Sequence, residues 1–318
     1  MDTLIIPEKR HRSSIGATHK YVLMTAAYNE AANIERTIQS VVAQTVRPLK
    51  WVIVSDNSTD QTDQIVQSYA EKYPFIRLLR VDRNAGHNFG AKVLALRRAE
   101  KLFDGIDYDF IGNLDADISL DGRYYEELLE HFERDPKLGI TSGFVHEDHG
   151  NGFRSRWFNS VANVPHAAQL VRRECYRAID GYAVLKYGGE DWYAQTCAKM
   201  RGWHVEAFPQ LEVLHHRHTG GSTHPLRSAF RLGRLDYSFG TGLVFEAAKC
   251  ARKFRDKPYV LAGVTRLLGF AWSLLSREER AVSREFADFL RQEQRSRIPL
   301  LKSSPLPQNQ SVAEMDKP

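Results

Sequence analysis

The 318 residues predict an α/β fold on a largely parallel, doubly wound sheet, a Rossmann-like core flanked by helices with a helical C-terminal extension. Three observations carry that expectation. Short β-rich runs alternate with helical patterns over the first 145 residues. Hydrophobic residues make up 42% and charged residues 26%, the balance of a folded globular chain. Only Cys175, Cys197 and Cys250 occur, without C-x-x-C spacing, so neither a disulfide framework nor a zinc cluster is expected and a reducing compartment is favoured.

Taken in order, Tyr21–Thr25 reads as a buried strand, and Ala31–Ala43 as a helix with Ile34, Ile38 and Val41/Val42 at helical spacing. Trp51–Val54 is a second strand; Ser58 or Thr59 is placed to cap the helix of Ile65, Val66 and Tyr69, which ends near Pro74. Ile76–Val81, Phe110–Leu114 and Leu138–Val145 read as strands, with helices over Phe89–Leu102 and Tyr124–Phe132. Ligands on such sheets bind outside the carboxyl ends of strands, so the loops after Thr25, Val54 and Leu114 are where chemistry is expected. Beyond Gly150 the pattern loosens. Trp192–Met200 looks helical, Val205–Phe208 and Leu211–Leu214 look like short strands, and Pro225–Ser276 is mostly helical.

Charge divides the chain. The net charge is +5, yet residues 223–302 carry 16 Lys or Arg against 8 Asp or Glu, so the remainder is acidic. Such a surplus fits anionic lipid, a lipid-linked pyrophosphate or nucleic acid. The organisation expected is an N-terminal extension (1–20) without the apolar core of a signal peptide, a catalytic domain (21–222), a basic helical region (223–302) and a disordered tail (303–318). The apolar run Pro258–Leu275, interrupted by Arg266, is too short for a membrane span. Phe270 and Trp272 suit an interfacial helix on an anionic membrane, whereas Val260, Val264, Leu267, Leu268 and Ala271 fit a buried core stripe.

Four clusters can carry chemistry. Ser55-Asp56-Asn57-Ser58-Thr59-Asp60 puts a carboxylate at a strand end, able to accept from a nucleobase or ribose or simply to form an Asx turn. In Gly112-Asn113-Leu114-Asp115-Ala116-Asp117, two carboxylates at the mouth of a strand repel, and a divalent cation bridging to phosphate relieves them; a solvated turn is the plainer alternative. Gly188-Gly189-Glu190-Asp191 offers a general base or a helix-dipole acid. His215-His216-Arg217-His218 suits a metal–diphosphate site, or is a surface loop that holds three histidines by chance.

The succession Ala27-Tyr28-Asn29-Glu30, Gln44 to Pro48, Trp51 to Asp60, Asn84 to Gly90, Leu114-Asp115-Ala116-Asp117 and Glu190-Asp191 resembles family 2 glycosyltransferases of the GT-A fold, non-processive bacterial type, over about Tyr21 to Gly221. The resemblance implies a nucleotide-binding half (21–120) and an acceptor half (121–222). It implies nucleotide-sugar contacts from Ala27, Tyr28, Glu30, Asp56, Asn84, Asp115 and Arg217, a Mg²⁺ or Mn²⁺ ion on Asp115, Asp117 and His215, and catalysis by Asp191 beside Glu190. The partners implied are a UDP-, GDP- or dTDP-sugar and a lipid-linked or saccharide acceptor, with no nucleic acid; the basic C-terminal part adds a peripheral contact with an anionic membrane, so the expected place is the cytoplasm or the inner face of the cell membrane. Ser55-Asp56-Asn57-Ser58 departs from the family's Asp-Asp-Gly-Ser, but Asn tolerates a left-handed backbone, so the turn is expected to survive. The Q-x-x-R-W motif of processive synthases is absent. A nucleotidyltransferase or a non-catalytic nucleotide-sugar or membrane-binding scaffold is the alternative reading.

Overall fold

The computed structural model describes residues 19–82, 90–217, 224–252 and 260–296. The N-terminal extension before residue 19, the Asn84 motif, the run from His218 to Gly221, the basic stretch 253–257 and the tail lie outside the described residues. The described residues fall into two compact units, the first within 1–87, 91–182 and 202–218 and the second within 88–90, 183–201 and 219–318.

The first unit is one mixed sheet covered by helices. Its strands are β1 (Tyr21–Ala27), β2 (Lys50–Asp56), β3 (Ile76–Val81), β4 (Phe110–Leu114), β5 (Ile118–Leu120), β6 (Leu138–Asp148), β7 (Phe153–Ser155), β8 (Ala168–Arg172) and β9 (His204–His215). They lie in the order β3-β2-β1-β4-β8-β6-β9-β5, with β7 on β6. The β3-β2-β1-β4 half is parallel, and Tyr21–Met24 and Trp51–Val54 are buried throughout, as continuous apolar strands covered on both faces should be. Helices α1 (Ile34–Val42), α2 (Thr62–Lys72), α3 (Gly90–Glu100), α4 (Tyr124–Arg134) and the short α5 (Arg173–Ala178) flank it. The β1 strand neighbours both β2 and β4, so chain direction through the sheet reverses there, and a crevice at the strands' carboxyl ends follows.

The largely parallel sheet that the sequence predicts becomes mixed on the other side of β4. Here β8 inserts antiparallel between β4 and β6, so the predicted fifth strand is not the neighbour of the fourth. The run Ala168–Arg172 hides its strand character behind Gln169, which is fully buried yet satisfied, donating to the Val164 carbonyl and accepting from Tyr182. The two short strands expected over 205–214 are one, β9, whose pairing with β6 slips around Pro209, a residue with no N–H for the ladder.

The second unit is helical: α6 (Glu190–Met200), α7 (Pro225–Ser238), α8 (Leu243–Arg252), α9 (Val260–Leu275) and α10 (Arg284–Ser296). By compactness α6 groups here rather than with the sheet. Gly233 of α7 and Gly269 of α9 let the two backbones touch, since a Cβ on Gly269 would lie 2.1 Å from the Phe230 carbonyl oxygen. That crossing buries Arg266, which donates to Asp236 (3.0 Å) and Glu246 (3.1 Å), while Lys249 reaches Asp236 at 2.5 Å. Burial and the neighbouring Asp236 push the Glu246 carboxyl up; burial opposes the Arg266 charge, but both carboxylates outweigh it and raise its pKa.

Neither sequence reading of α9 survives intact. The core stripe is overturned, because Val260, Val264, Leu267 and Leu268 are exposed; the small and polar face of Ala262, Gly263, Arg266, Gly269 and Ser273 is the one that packs. Phe270, expected at an interface, is buried, and only Trp272 is exposed. No helix among the described residues is long and apolar enough to cross a membrane.

Gly269→Ala should lower the unfolding free energy by about 1–3 kcal/mol, because the obstacle is backbone and cannot rotate away. Urea denaturation checks it, with Gly242→Ala, whose Cβ meets nothing nearer than 3.9 Å, expected to stay within about 0.5 kcal/mol of the parent.

Candidate active site

In the first unit, the loops leaving β1 and β2 are laced together. Asn29 and Asn57 both adopt left-handed backbone (φ +52° and +60°), so Asn57 makes the turn expected of it. The Asn29 Oδ1 accepts from the Thr59 N–H (2.8 Å), the Glu30 N–H donates to Thr62 (2.8 Å), and the Ala31 N–H to Asp60 (3.0 Å). Because Ser58 and Thr59 face Asn29, neither caps α2 as the sequence suggests; Asp60 accepts the Thr62 N–H instead. Ala27 is buried at the end of β1, Asp56 is buried at the end of β2, and Tyr28 stands 43% exposed.

The acidic pair after β4 is split between two sets of partners. Asp115 accepts from Lys92 of α3 at 2.6 Å. Asp117, only 7% exposed, lies 3.1 Å from Nε2 of His215 and 3.6 Å from Nε of Arg217, and Arg217 also holds Glu30 at 2.5 Å. This assembly is made by β5 pairing with β9, where Ile118 sits opposite His215 and the His216 N–H donates to the Asp117 carbonyl. Burial alone would raise the Asp117 pKa, but His215, Arg217 and Lys92 outweigh it and hold the carboxyl below its ordinary range. Glu30 moves the other way, pushed up by burial and by Asp117, with Arg217 opposing.

Behind His215 stands Arg156, which donates to Glu147 (2.6 Å) and to Nδ1 of His215 (2.9 Å). An arginine only donates, so Nδ1 accepts and the imidazole proton sits on Nε2, facing Asp117. Of the metal set expected from the sequence, Asp117 and His215 meet while Asp115 turns to Lys92, and among the described residues no group of three His, Cys, Asp or Glu side chains is gathered around one point. Asp115 is occupied by Lys92, and His215 orients Asp117 with a proton rather than offering a lone pair. An ionised, nearly buried carboxylate at a strand end still fits one hard cation that takes its other oxygens from phosphate.

Lys92, Glu147 and Arg156 escaped the sequence reading. Lys92 lies two residues beyond Gly90, inside the helix start that the sequence did mark, whereas Arg156 lies just past β7 in a stretch with no motif.

In the second unit Gly188 and Gly189 both have positive φ (+82° and +87°), and α6 starts at Glu190 as the glycine pair suggests. Asp191 accepts from the Trp192 N–H at 2.7 Å in the first turn, and Glu190 acts electrostatically on Arg231. The neighbouring ring of Trp192 packs on Phe239, which fixes this turn.

The sequence profile of glycosyl transferase family 2 matches residues 23–186. The poly-β-1,6-N-acetyl-D-glucosamine synthase of Staphylococcus aureus strain COL is 32% identical over 125 residues, 38% of this chain and 27% of the synthase. The synthase of Staphylococcus epidermidis is 25% identical over 143 residues, 44% of this chain and 31% of its own. The chain thus spans under a third of the length of these relatives. Among solved structures, S. aureus TarS residues 1–349 with UDP-GlcNAc superposes with a TM-score of 0.52 at 16% identity, over 69% of this chain and 65% of that one. The mannosyltransferase PcManGT of Pyrobaculum calidifontis, in complex with GDP-Man and Mn²⁺, gives 0.51 at 18% identity, over 86% and 79%. The fold is that of the GT-A glycosyltransferases.

Arg156→Ala would leave the Glu147 carboxylate buried without its guanidinium, a loss expected to cost about 3 kcal/mol. The urea midpoint should fall accordingly, and Glu147→Gln in the same background should recover part of it.

Proposed function

The chain belongs to glycosyl transferase family 2, and from that premise we propose a metal-dependent, inverting glycosyltransferase that moves a sugar from a nucleotide-sugar donor to a hydroxyl of a lipid-linked or saccharide acceptor. Surface polysaccharide or glycolipid assembly is the proposed setting. The observation that carries this reading is the convergence of Glu30, Asp117, His215 and Arg217 at the carboxyl ends of the strands around the sheet's reversal. The relatives support it, since one makes a poly-N-acetylglucosamine and the solved neighbours carry UDP-GlcNAc or GDP-Man.

In this proposal residues 21–120 form the nucleotide half and 121–222 the acceptor half. Exposed Tyr28 and the Asp56 carboxylate take the base of UDP, GDP or dTDP, and Asp115 the ribose side. Asp117 would hold Mg²⁺ or Mn²⁺, whose chemistry when bound is to neutralise the donor diphosphate. Arg217 and Lys92 add fixed positive charge beside the same carboxylates, where charge develops on the leaving group. Asp191, assigned by its place in the sequence, takes the acceptor hydroxyl proton; the oxygen bonds to the anomeric carbon as the sugar–phosphate bond breaks and its electron pair leaves with the diphosphate. Glu190 orients that turn.

The proposed place of action is the cytoplasmic face of an anionic membrane. One face of α9 presents Val260, Leu261, Val264, Leu267, Leu268, Leu274 and Leu275 to solvent, with Trp272 60% exposed beside them. Exposed Arg277 and Arg280 follow its C-terminal end, and Lys253, Arg255 and Lys257 precede it in sequence. A continuous apolar face with cationic flanks matches an anionic bilayer surface better than a protein groove.

Asp117→Asn should abolish the Mn²⁺ dependence of nucleoside diphosphate binding, while Asp191→Asn should leave that binding intact and cost about 10²- to 10⁴-fold in turnover. Calorimetry and transfer assays with a panel of UDP-, GDP- and dTDP-sugars read both; equal Mn²⁺ dependence in Asp117→Asn and parent would remove the metal role.

The parent should float with anionic but not neutral liposomes. Leu268→Ser combined with Leu275→Ser should stay in the soluble fraction; indifference of the parent to anionic vesicles at low salt overturns the docking.

A further inference from the structure

The β6–β7 hairpin carries aromatic surface that the proposed reaction does not yet use. Gly150 and Gly152 turn the chain with φ of +79° and +117°, and β7 returns on β6 with Phe153 opposite Asp148 and Ser155 opposite His146. Directly beyond β7, Trp157 is 73% exposed and Phe158 46%, their rings edge to face with centroids 5.4 Å apart. An exposed indole of this extent forfeits the burial that makes tryptophan favourable in a fold, and with Phe158 beside it forms a small aromatic patch open to a ligand.

The backbone beneath these rings is tied down. The Arg156 N–H donates to the Val145 carbonyl (3.0 Å), and Asn159 reaches Val145 (2.8 Å) and Ser155 (2.9 Å). The Ala207 N–H donates to the Val161 carbonyl at 2.8 Å, fixing the far end to β9. The Arg156 side chain points inward to Glu147 and His215, and through His215 to Asp117. It also stands 5.6 Å from the Phe158 ring centroid. Trp157 is therefore one residue along the chain from a guanidinium that contacts the imidazole beside Asp117, on a loop that has few ways to move.

We propose that Trp157, backed by Phe158, is a stacking platform for a pyranose ring of the acceptor, making the acceptor a saccharide rather than a bare lipid phosphate. This rests on the glycosyltransferase reading above. A pyranose presents an apolar face of C–H bonds, weakly positive, which meets the negative face of an aromatic ring; indole offers the largest such face. Polar groups along the same hairpin, Asp148, Asn151 and Arg154, suit the hydroxyl rim of a sugar and not the interior of a bilayer.

The test uses the full chain with UDP and Mn²⁺, and cellotetraose, chitotetraose and mannotetraose as probes. The difference between the parent and Trp157→Phe isolates the Trp157 fluorescence from that of the other four tryptophans. At least one oligosaccharide should shield Trp157 from acrylamide quenching. Trp157→Ala should weaken that oligosaccharide about tenfold and Trp157→Tyr should restore most of it, at an unchanged Kd for UDP. If no probe shields Trp157, if Trp157→Ala binds the oligosaccharide like the parent, or if anionic liposomes shield Trp157 and sugars do not, the platform is overturned. A parent that binds none of UDP, GDP and dTDP with Mn²⁺ would instead sink the glycosyltransferase reading, which separates the two failures.

Discussion

The pairing of three-residue β5 with the end of β9 is the contact on which the rest of the site depends. It sets Ile118 opposite His215, and so delivers His215 and Arg217 to a carboxylate from a different part of the chain; the adjacent hydroxyl–imidazole contact, Ser119 to His216, joins residues 97 apart. Without that pairing Asp117 would be one more acid in a strand-end turn. With it, a nearly buried carboxylate is held ionised by an imidazole proton on one side and a guanidinium on another. The same guanidinium satisfies Glu30, so the loops after β1, β4 and β9 share one electrostatic balance.

That balance has a direction. Glu30 and Asp117 repel, and their neighbours favour the charge on Asp117 while burial disfavours it on Glu30. Two acids in one crevice with opposite shifts are a recurring mark of functional sites. Behind them the Glu147–Arg156–His215 chain links the crevice to the β6–β7 hairpin, so the loop bearing Trp157 and the carboxylate bearing the site's charge are parts of one packed network.

The second unit solves a different problem with similar means. Asp236, Glu246, Lys249 and Arg266 bury two negative and two positive charges at the α7–α8–α9 junction, where glycines allow close backbone approach. Such a cluster is tolerated because each charge keeps partners. Its consequence is that the packed face of α9 is the small and charged one, which leaves the large apolar side chains facing outward. Several of the cations that make this region basic, Arg234, Lys249 and Arg266 among them, are therefore internal counterions and contribute little to the surface field.

The parallel half of the fold and the carboxylates at its strand ends were legible in the residue order, because β1 to β4 and α1 to α4 rest on local periodicity and on turns made by residues near in sequence. Ile76–Val81 and Phe110–Leu114 occur as read, and Asn57 takes the left-handed turn its side chain permits. Non-local pairing was not legible. The insertion of β8, the meeting of His215 with Asp117 and the Lys92–Asp115 contact each join segments whose relation no local pattern records. The orientation of α9 is the sharpest case: its apolar stripe is plain in the sequence, but periodicity names a face without saying what covers it, and the close α7–α9 crossing gave the interior to glycine and arginine.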